Sequence, residues 1–336
     1  MTPGQRSIRS RVAMALAALL IVGLAAPAGA QPVTLKFGQV PSTLRNVGTL
    51  YHFIGQHKGF FAREGIALQM QTIEGGTDRM VGALDAGTVD VAHTSTPYLI
   101  EKVLHGSDAV AFAGEVNNPL YSLIVRPEIA SYADLRGKLI GLSIPADTIS
   151  LSMRKLLARN GLGDNDYRVK ELVGTPVRFD CLKSGECAGV PLGQPNDFEA
   201  IKQGYRRLGL STEAVAALQF QVIAARRAWA AANKDQVVRL TRALGASFRY
   251  IRDPANRAEV IRSMVEHTGS SEEIARAVMA LYFEPDQGVM PKQAEIDLKG
   301  FAQVIAFMGE AGAIKAPLPV PDQFVDLQYL RAAGVE

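Results

Sequence analysis

From residue 33 onward the chain switches repeatedly between two hydrophobic periods, and this alternation limits its possible folds more than any other feature. Val33, Leu35 and Phe37 alternate over residues 33–40, the two-residue period of a half-buried strand. Val47, Leu50, Tyr51, Ile54 and Phe61 then fall at helical spacing across residues 47–64, one face of an amphipathic helix. A strand over 66–73, a helix over 78–85, a short buried strand over 89–92, a helix over 98–104 and a strand over 109–116 complete a first series. A second series has strands at 121–125, 139–143, 167–172 and 188–191, with helices at 149–160, 177–183 and 197–203. A strand at 219–225 follows, and the chain beyond Trp229 reads as almost wholly helical. Such alternation predicts an α/β fold with mostly parallel sheets. There is no repeat of solenoid period and no low-complexity linker.

Polar turns rich in Gly, Ser and Thr lie between strand ends and helix starts. They fall at 41–46, 74–77 and 94–97 in the first series, and at 143–148, 174–176 and 191–196 in the second. In open α/β sheets ligands bind outside the carboxyl ends of the strands. Helix starts there present free N–H groups and partial positive charge, which suits phosphate, sulfonate or carboxylate. Two facing sets of turns predict a cleft between two lobes.

The first thirty residues belong to neither series. Arg6, Arg9 and Arg11 precede an apolar run over 12–24, then Pro27-Ala28-Gly29-Ala30. Basic, apolar, then small-x-small is the layout of a secretory signal, with cleavage expected after Ala30. A membrane span needs about 20 apolar residues, and this run has 13. Beyond residue 30 the charges balance at 33 basic against 33 acidic, so nothing points to nucleic acid or an anionic membrane as partner. The expected product is an exported protein, monomeric and without stable membrane insertion.

Several segments together resemble one family. Residues 50–68 (LYHFIGQHKGFFAREGIAL), 75–92 (GGTDRMVGALDAGTVDVA), 134–142 (DLRGKLIGL) and 174–190 (GTPVRFDCLKSGECAGV) are similar to the nitrate/sulfonate/taurine-type substrate-binding proteins of ABC importers. The resemblance runs from about Val33 to Trp229 and is specific in combination, weak motif by motif. It implies a two-lobed type II periplasmic-binding fold, with mostly parallel sheets flanked by helices, a two-strand hinge and a helical C-terminus. The expected first lobe is discontinuous, 31–118 with 222–336, and the second is 119–221. It further implies a periplasmic protein that captures a small, anionic organic solute. Its partners would be that solute, an ABC permease and the permease's cytoplasmic ATPase, with no cofactor. An enzyme on the same fold, a sulfinate hydrolase or a thiamin-pyrimidine former, is the alternative. Such an enzyme would want a reactive Cys or His in the cleft, and no nucleophile elbow is present.

In the first lobe the candidate ligand contacts are Ser42, Thr43 and Arg45, then Gly75, Gly76 and Thr77, then Thr94, Ser95 and Thr96. The plainer reading of the first group is a solvated loop with Ser42 or Thr43 as helix cap. His52, where the family usually has an aliphatic or aromatic residue, either faces the cleft or is partly buried on its helix. Second-lobe candidates are Ser143, Thr148, Thr175, Arg178 and Gln194. Arg178 either binds a carboxylate or sulfonate bidentately or serves the lobe surface. Asp147 ranks below Thr148 and Ser143, because it reads as a helix cap and would repel an anion. His52 and His57 are five apart, the wrong spacing for one metal, and no metal is expected. Cys181 and Cys187 flank a helix end and the turn Ser184-Gly185, which would bring them together as a disulfide in an oxidising compartment. Two buried reduced cysteines are the other possibility.

Overall fold

The computed structural model describes residues 32–284 and 288–335. The expected signal at 1–30 lies outside the described residues. Ten strands form two five-stranded sheets. They are β1 (Val33–Gln39), β2 (Ile66–Thr72), β3 (Val91–Ser95), β4 (Ala109–Val116), β5 (Ser122–Val125), β6 (Leu139–Leu142), β7 (Arg168–Glu171), β8 (Gly189–Leu192), β9 (Arg206–Leu210) and β10 (Gln221–Arg226). The first sheet has the order β2-β1-β3-β10-β4 and the second β7-β6-β8-β5-β9. β1 and β2 pair in parallel from Val33 opposite Ile66 to Gln39 opposite Thr72. In each sheet four strands run one way and one runs against them: β10 in the first, β5 in the second.

Those two reversed strands are the ones that enter each sheet from the other. The chain leaves the first sheet after β4, passes through 117–121 into β5, and returns through 211–220 into β10. The crossings are stitched to each other. Asn118 Nδ2 donates to the carbonyls of Val215 and Ala216, both at 3.1 Å, and the Tyr121 amide donates to Ser211 Oγ at 2.9 Å. This is the α/β fold with two mostly parallel sheets that the sequence predicts.

β4 is apolar from Ala109 to Gly114 because it is covered on both faces, and all eight of its residues are buried, Glu115 among them with Tyr51 and His93 as partners. Helices Thr96–Leu104 and Gln328–Ala333 pack on β4, and Lys234–Arg252, the longest described helix, packs in turn on Gln328–Ala333. Val237, Leu240, Leu244, Phe248 and Ile251 make the buried stripe of the longest helix. The segment around Glu295 approaches β4 so closely that only glycine fits at 114. Its amide donates to the Ala294 carbonyl at 2.8 Å, and a Cβ there would stand 2.0 Å from the Glu295 carbonyl oxygen.

Three local departures from the sequence reading matter. The expected helix over 47–64 is a 3-10 turn (Val47–Thr49) followed by helices Leu50–His57 and Phe60–Arg63, broken where Gly59 takes φ 67°. β3 runs on to Ser95, so Thr94 and Ser95 belong to a strand end rather than a loop. β9 carries Arg206, Arg207 and Gly209 at a sheet edge, a composition that hides a strand from periodicity.

Candidate functional site

Between the sheets, where the strand ends of both face the hinge, lies a cavity of about 70 Å³. A single water needs roughly 10–15 Å³ of such space, so the cavity suits a compact solute of a few heavy atoms. First-lobe turns supply Ser42, Thr43, Asn46, Gly76 and Thr77 to its wall, and the end of β3 supplies Ser95. The hinge supplies Tyr121, Phe220 and Gln221, and the second lobe Ser143, Asp147, Thr175 and Arg178. Tyr282 comes from a C-terminal helix.

The first-lobe hydroxyls are fixed by the turns that carry them. Thr43 Oγ1 donates to the Val40 carbonyl at 2.9 Å and lies 3.5 Å from His93 Nε2. Thr49 Oγ1 holds the Thr43 carbonyl at 2.7 Å, and His267 Nε2 meets the Asn46 carbonyl at 3.0 Å. Burial lowers the His267 pKa, so a neutral ring clips this loop from the C-terminal segment. Thr77 Oγ1 and Ser95 Oγ are 3.1 Å apart at the wall. Thr94 Oγ1 donates behind them to the Thr77 carbonyl at 3.0 Å.

In the second lobe a buried cation and a buried carboxylate border the same space. The Arg178 fork is held by the Pro191 carbonyl (2.8 Å), the Leu172 carbonyl (3.1 Å) and Thr175 Oγ1 (3.2 Å). Its guanidinium carbon lies 5.6 Å from the centre of the Tyr121 ring. Burial pushes the Tyr121 hydroxyl up to about 12, with Arg178 pulling against the rise. Asp147 caps the helix Thr148–Arg159, accepting from the Ile149 amide and from Ser143 Oγ, each at 2.8 Å. Burial raises the Asp147 pKa, and these donors oppose the rise. The neighbouring helix Thr175–Lys183 begins at Gly174 with no side-chain cap, and Thr175 at its start lines the cavity, the next residue, Pro176, carrying no N–H.

The NMT1/THI5-like family model matches residues 46–258. The chain belongs to the NMT1/THI5-like family. A putative thiamine biosynthesis protein of Haemophilus influenzae is 30% identical over 119 residues, 34% of this chain and 37% of that protein. This chain therefore aligns with little more than a third of that relative. Two solved structures share the fold at low identity. The ligand-binding component of an ABC-type import system from Staphylococcus aureus, solved with zinc bound, superposes with TM-score 0.71 at 15% identity, covering 90% of this chain and 99% of that one. The alkanesulfonate-binding protein SsuA of Xanthomonas axonopodis pv. citri, bound to MOPS, gives 0.68 at 18% identity, covering 88% and 98%. The NMT1/THI5-like chain thus has the two-lobed periplasmic-binding fold.

Of the residues singled out in the sequence, Ser42, Thr43, Gly76, Thr77, Ser95, Ser143, Thr175 and Arg178 line the cavity of this NMT1/THI5-like protein. Arg45 is exposed and borders an adjoining outer hollow that shares Ser42, Asn46 and Thr175 with the cavity. His52 is packed away from the cavity, 4.3 Å from the Phe37 ring and 4.1 Å from the Tyr51 ring, and neither of its nitrogens has a hydrogen-bond partner. Its pKa is held low by burial, then by His93 and His267. Gly75 supplies a positive φ of 107° beside the wall rather than the wall itself. Thr94 and Thr96 are buried off the cavity. Thr148 turns its hydroxyl toward Asp147 Oδ1 at 3.4 Å. Gln194 is buried and committed to protein partners, Asp197 at 2.9 Å and Tyr282 at 3.0 Å.

Asp147, ranked in the sequence below Thr148 and Ser143, lines the cavity with Ser143, whereas Thr148 does not, because the cap position rather than the first helical residue faces it. Asn46 and Gln221 also line the cavity, and neither is a sequence candidate, because one reads as a turn residue and the other as a strand residue. Tyr282 carried no sequence signal at all. Cys181 and Cys187 are bridged, with Cα atoms 5.3 Å apart. The chain doubles back at Gly185 (φ 79°), and the Cys187 amide reaches the Cys181 carbonyl at 3.0 Å. Among the described residues no group of three or more His, Cys, Asp or Glu could hold a metal. None of their helices is long and apolar enough to cross a membrane.

Proposed function

We propose that this protein is an extracytoplasmic solute-binding protein of an ABC importer. It captures a compact anionic solute by lobe closure and hands it to a permease driven by a cytoplasmic ATPase. The moving bodies are residues 31–118 with 222–336 and residues 119–221, and residues 1–30 direct export to the periplasm. One observation carries the reading: a hydroxyl-lined cavity bordered by both lobes, with the buried Arg178 guanidinium and an uncapped helix start on its wall. Asp147 on the same wall brings an opposing charge, its oxygens bonded to the Ile149 amide and the Ser143 hydroxyl. The ligand contacts on this reading are the hydroxyls of Ser42, Thr43, Thr77, Ser95, Ser143 and Thr175, together with Arg178. Each charge-assisted bond contributes about 1.5–3 kcal/mol, and micromolar capture needs about 8 kcal/mol.

A thermal-shift panel tests this with nitrate, taurine, short alkanesulfonates, aromatic carboxylates and pyrimidines, beside cationic and sugar-like controls. A solute at 100 times its dissociation constant stabilises by about 2.7 kcal/mol, and an anion should be the one that does so. A panel in which only cations or neutral sugars raise the melting temperature would sink the anionic reading. The enzyme alternative draws support from the name of the Haemophilus influenzae relative and from the shared fold of DszB in complex with biphenyl-2-sulfinic acid, TM-score 0.63 at 16% identity. The bridge at Cys181–Cys187 leaves neither thiol as a nucleophile. Turnover of a sulfinate or formation of a pyrimidine by purified protein would establish the alternative instead.

A further inference from the structure

The family match ends at residue 258, yet the helices beyond it reach across the cleft. Glu272–Phe283 stands beside Asn196–Lys202 of the second lobe. There the Tyr282 hydroxyl donates to Gln194 Oε1 at 3.0 Å, with both side chains buried. Lys202 Nζ lies 3.0 Å from Glu273 Oε2 and 3.3 Å from Ser271 Oγ on the same helix. Leu298–Glu310 makes a second bridge. Lys155 Nζ meets Glu310 Oε2 at 2.5 Å and sits 4.6 Å from the centre of the Phe307 ring.

Gln194 is not free to trade this partner for another. Its amide nitrogen donates to Asp197 Oδ2 at 2.9 Å, and that oxygen also accepts from Ser122 Oγ (2.6 Å) and Arg207 Nη2 (2.7 Å). An amide with its nitrogen fixed on a carboxylate must point its oxygen the other way, here at Tyr282. All of these bonds join protein to protein, so they favour closure whatever the solute contributes. A ligand that contacts both lobes binds more tightly when the closed arrangement is already populated.

We propose that the C-terminal helices are a clasp: Tyr282–Gln194, Lys202–Glu273 and Lys155–Glu310 bias the cleft toward closure through protein atoms alone. Tyr282 and Gln194 are then positioning residues that set solute affinity through the open–closed balance. The proposal takes its hinge from the capture reading, but its test needs no ligand. Spin labels go on Glu74→Cys and Arg168→Cys, which are exposed and lie in different lobes. Pulsed dipolar spectroscopy then gives their distance distribution in ligand-free protein.

The expected result is a short-distance population whose ratio to the long one falls about fivefold in Tyr282→Phe, the equivalent of one buried hydrogen bond. The exposed double variant Lys155→Ala/Lys202→Ala removes surface pairs without touching the cavity wall. It should move the ratio the same way, by up to about fivefold. Adding the reversed pair Lys202→Glu/Glu273→Lys to the wild type should leave the ratio in place. Unchanged distributions in both Tyr282→Phe and the lysine variant, or a wild type with only the long distance, would overturn the clasp. A panel in which no solute stabilises the protein would instead overturn capture, leaving these distances as they are.

Discussion

Asp147 illustrates how a single residue at the cavity wall serves stability and site together. Its carboxylate caps a helix through the Ile149 amide, receives Ser143 Oγ, and takes the Tyr98 hydroxyl from the other lobe at 3.4 Å. Burial raises its pKa above the ordinary 3.8. A carboxyl that titrates higher folded than unfolded holds more protons in the folded state between the two values. Its favourable contribution is therefore complete below the unfolded value and is lost as pH rises through the folded one. Asn retains the capping oxygen and carries no charge to desolvate. Urea unfolding of Asp147→Asn across the acid range should show the variant gaining on the wild type as pH rises from about 4. A difference independent of pH would mean that the carboxylate is not desolvated in the folded protein. The hydroxyls of Ser42, Thr77 and Thr175 were legible because polar turns after strands have few other uses. The capping role of Asp147 was legible too, whereas its place on the cavity wall depends on how the lobes meet.

At the scale of elements, the helix Thr175–Lys183 joins the site to the disulfide. Its start is left uncapped at the cavity, and its end carries Cys181, tied to Cys187 across the turn at Gly185. A loop this short constrains the unfolded chain by only about 2–2.5 kcal/mol. The denatured, unreduced protein should titrate no free thiol. Reduction should lower the unfolding free energy by roughly that 2–2.5 kcal/mol, read from the shift in urea midpoint. Two titratable thiols before reduction would refute the bridge. Most elements were legible from hydrophobic period, since a strand half-buried in a sheet must alternate. The exceptions have physical causes: β9 is a charged edge, and the first helix is interrupted at Gly59, where the left-handed conformation breaks an otherwise regular apolar stripe.

For the whole molecule, the decisive fact is that the first sheet is completed late. β10 enters it after the entire second lobe, and the C-terminal helices then close its core. Phe112 of β4 packs edge-on to Tyr329, with ring centres 6.2 Å apart. The Ala111 amide and carbonyl bond Phe324 and Asp326, at 2.9 and 2.8 Å. A chain ending at Ala258, the limit of the family match, would leave β4 uncovered on that face. Calorimetry should find a cooperative transition in the full mature chain and none in the truncated one. A truncated chain that melts cooperatively near the same temperature would show the C-terminal helices to be dispensable for folding.

The sequence by itself determined the succession of strands and helices, the two sets of polar turns, the nearness of the two cysteines and the family. These are local quantities, set by side-chain period, turn chemistry and a six-residue separation. Only the tertiary structure decided which turn residues face one another. It drew Asp147 and Tyr282 to the wall and sent His52 and Arg45 away from it. It also let the last helices reach the second lobe. Such contacts join residues up to 155 positions apart, and their formation depends on how the sheets are brought together, which no local pattern encodes.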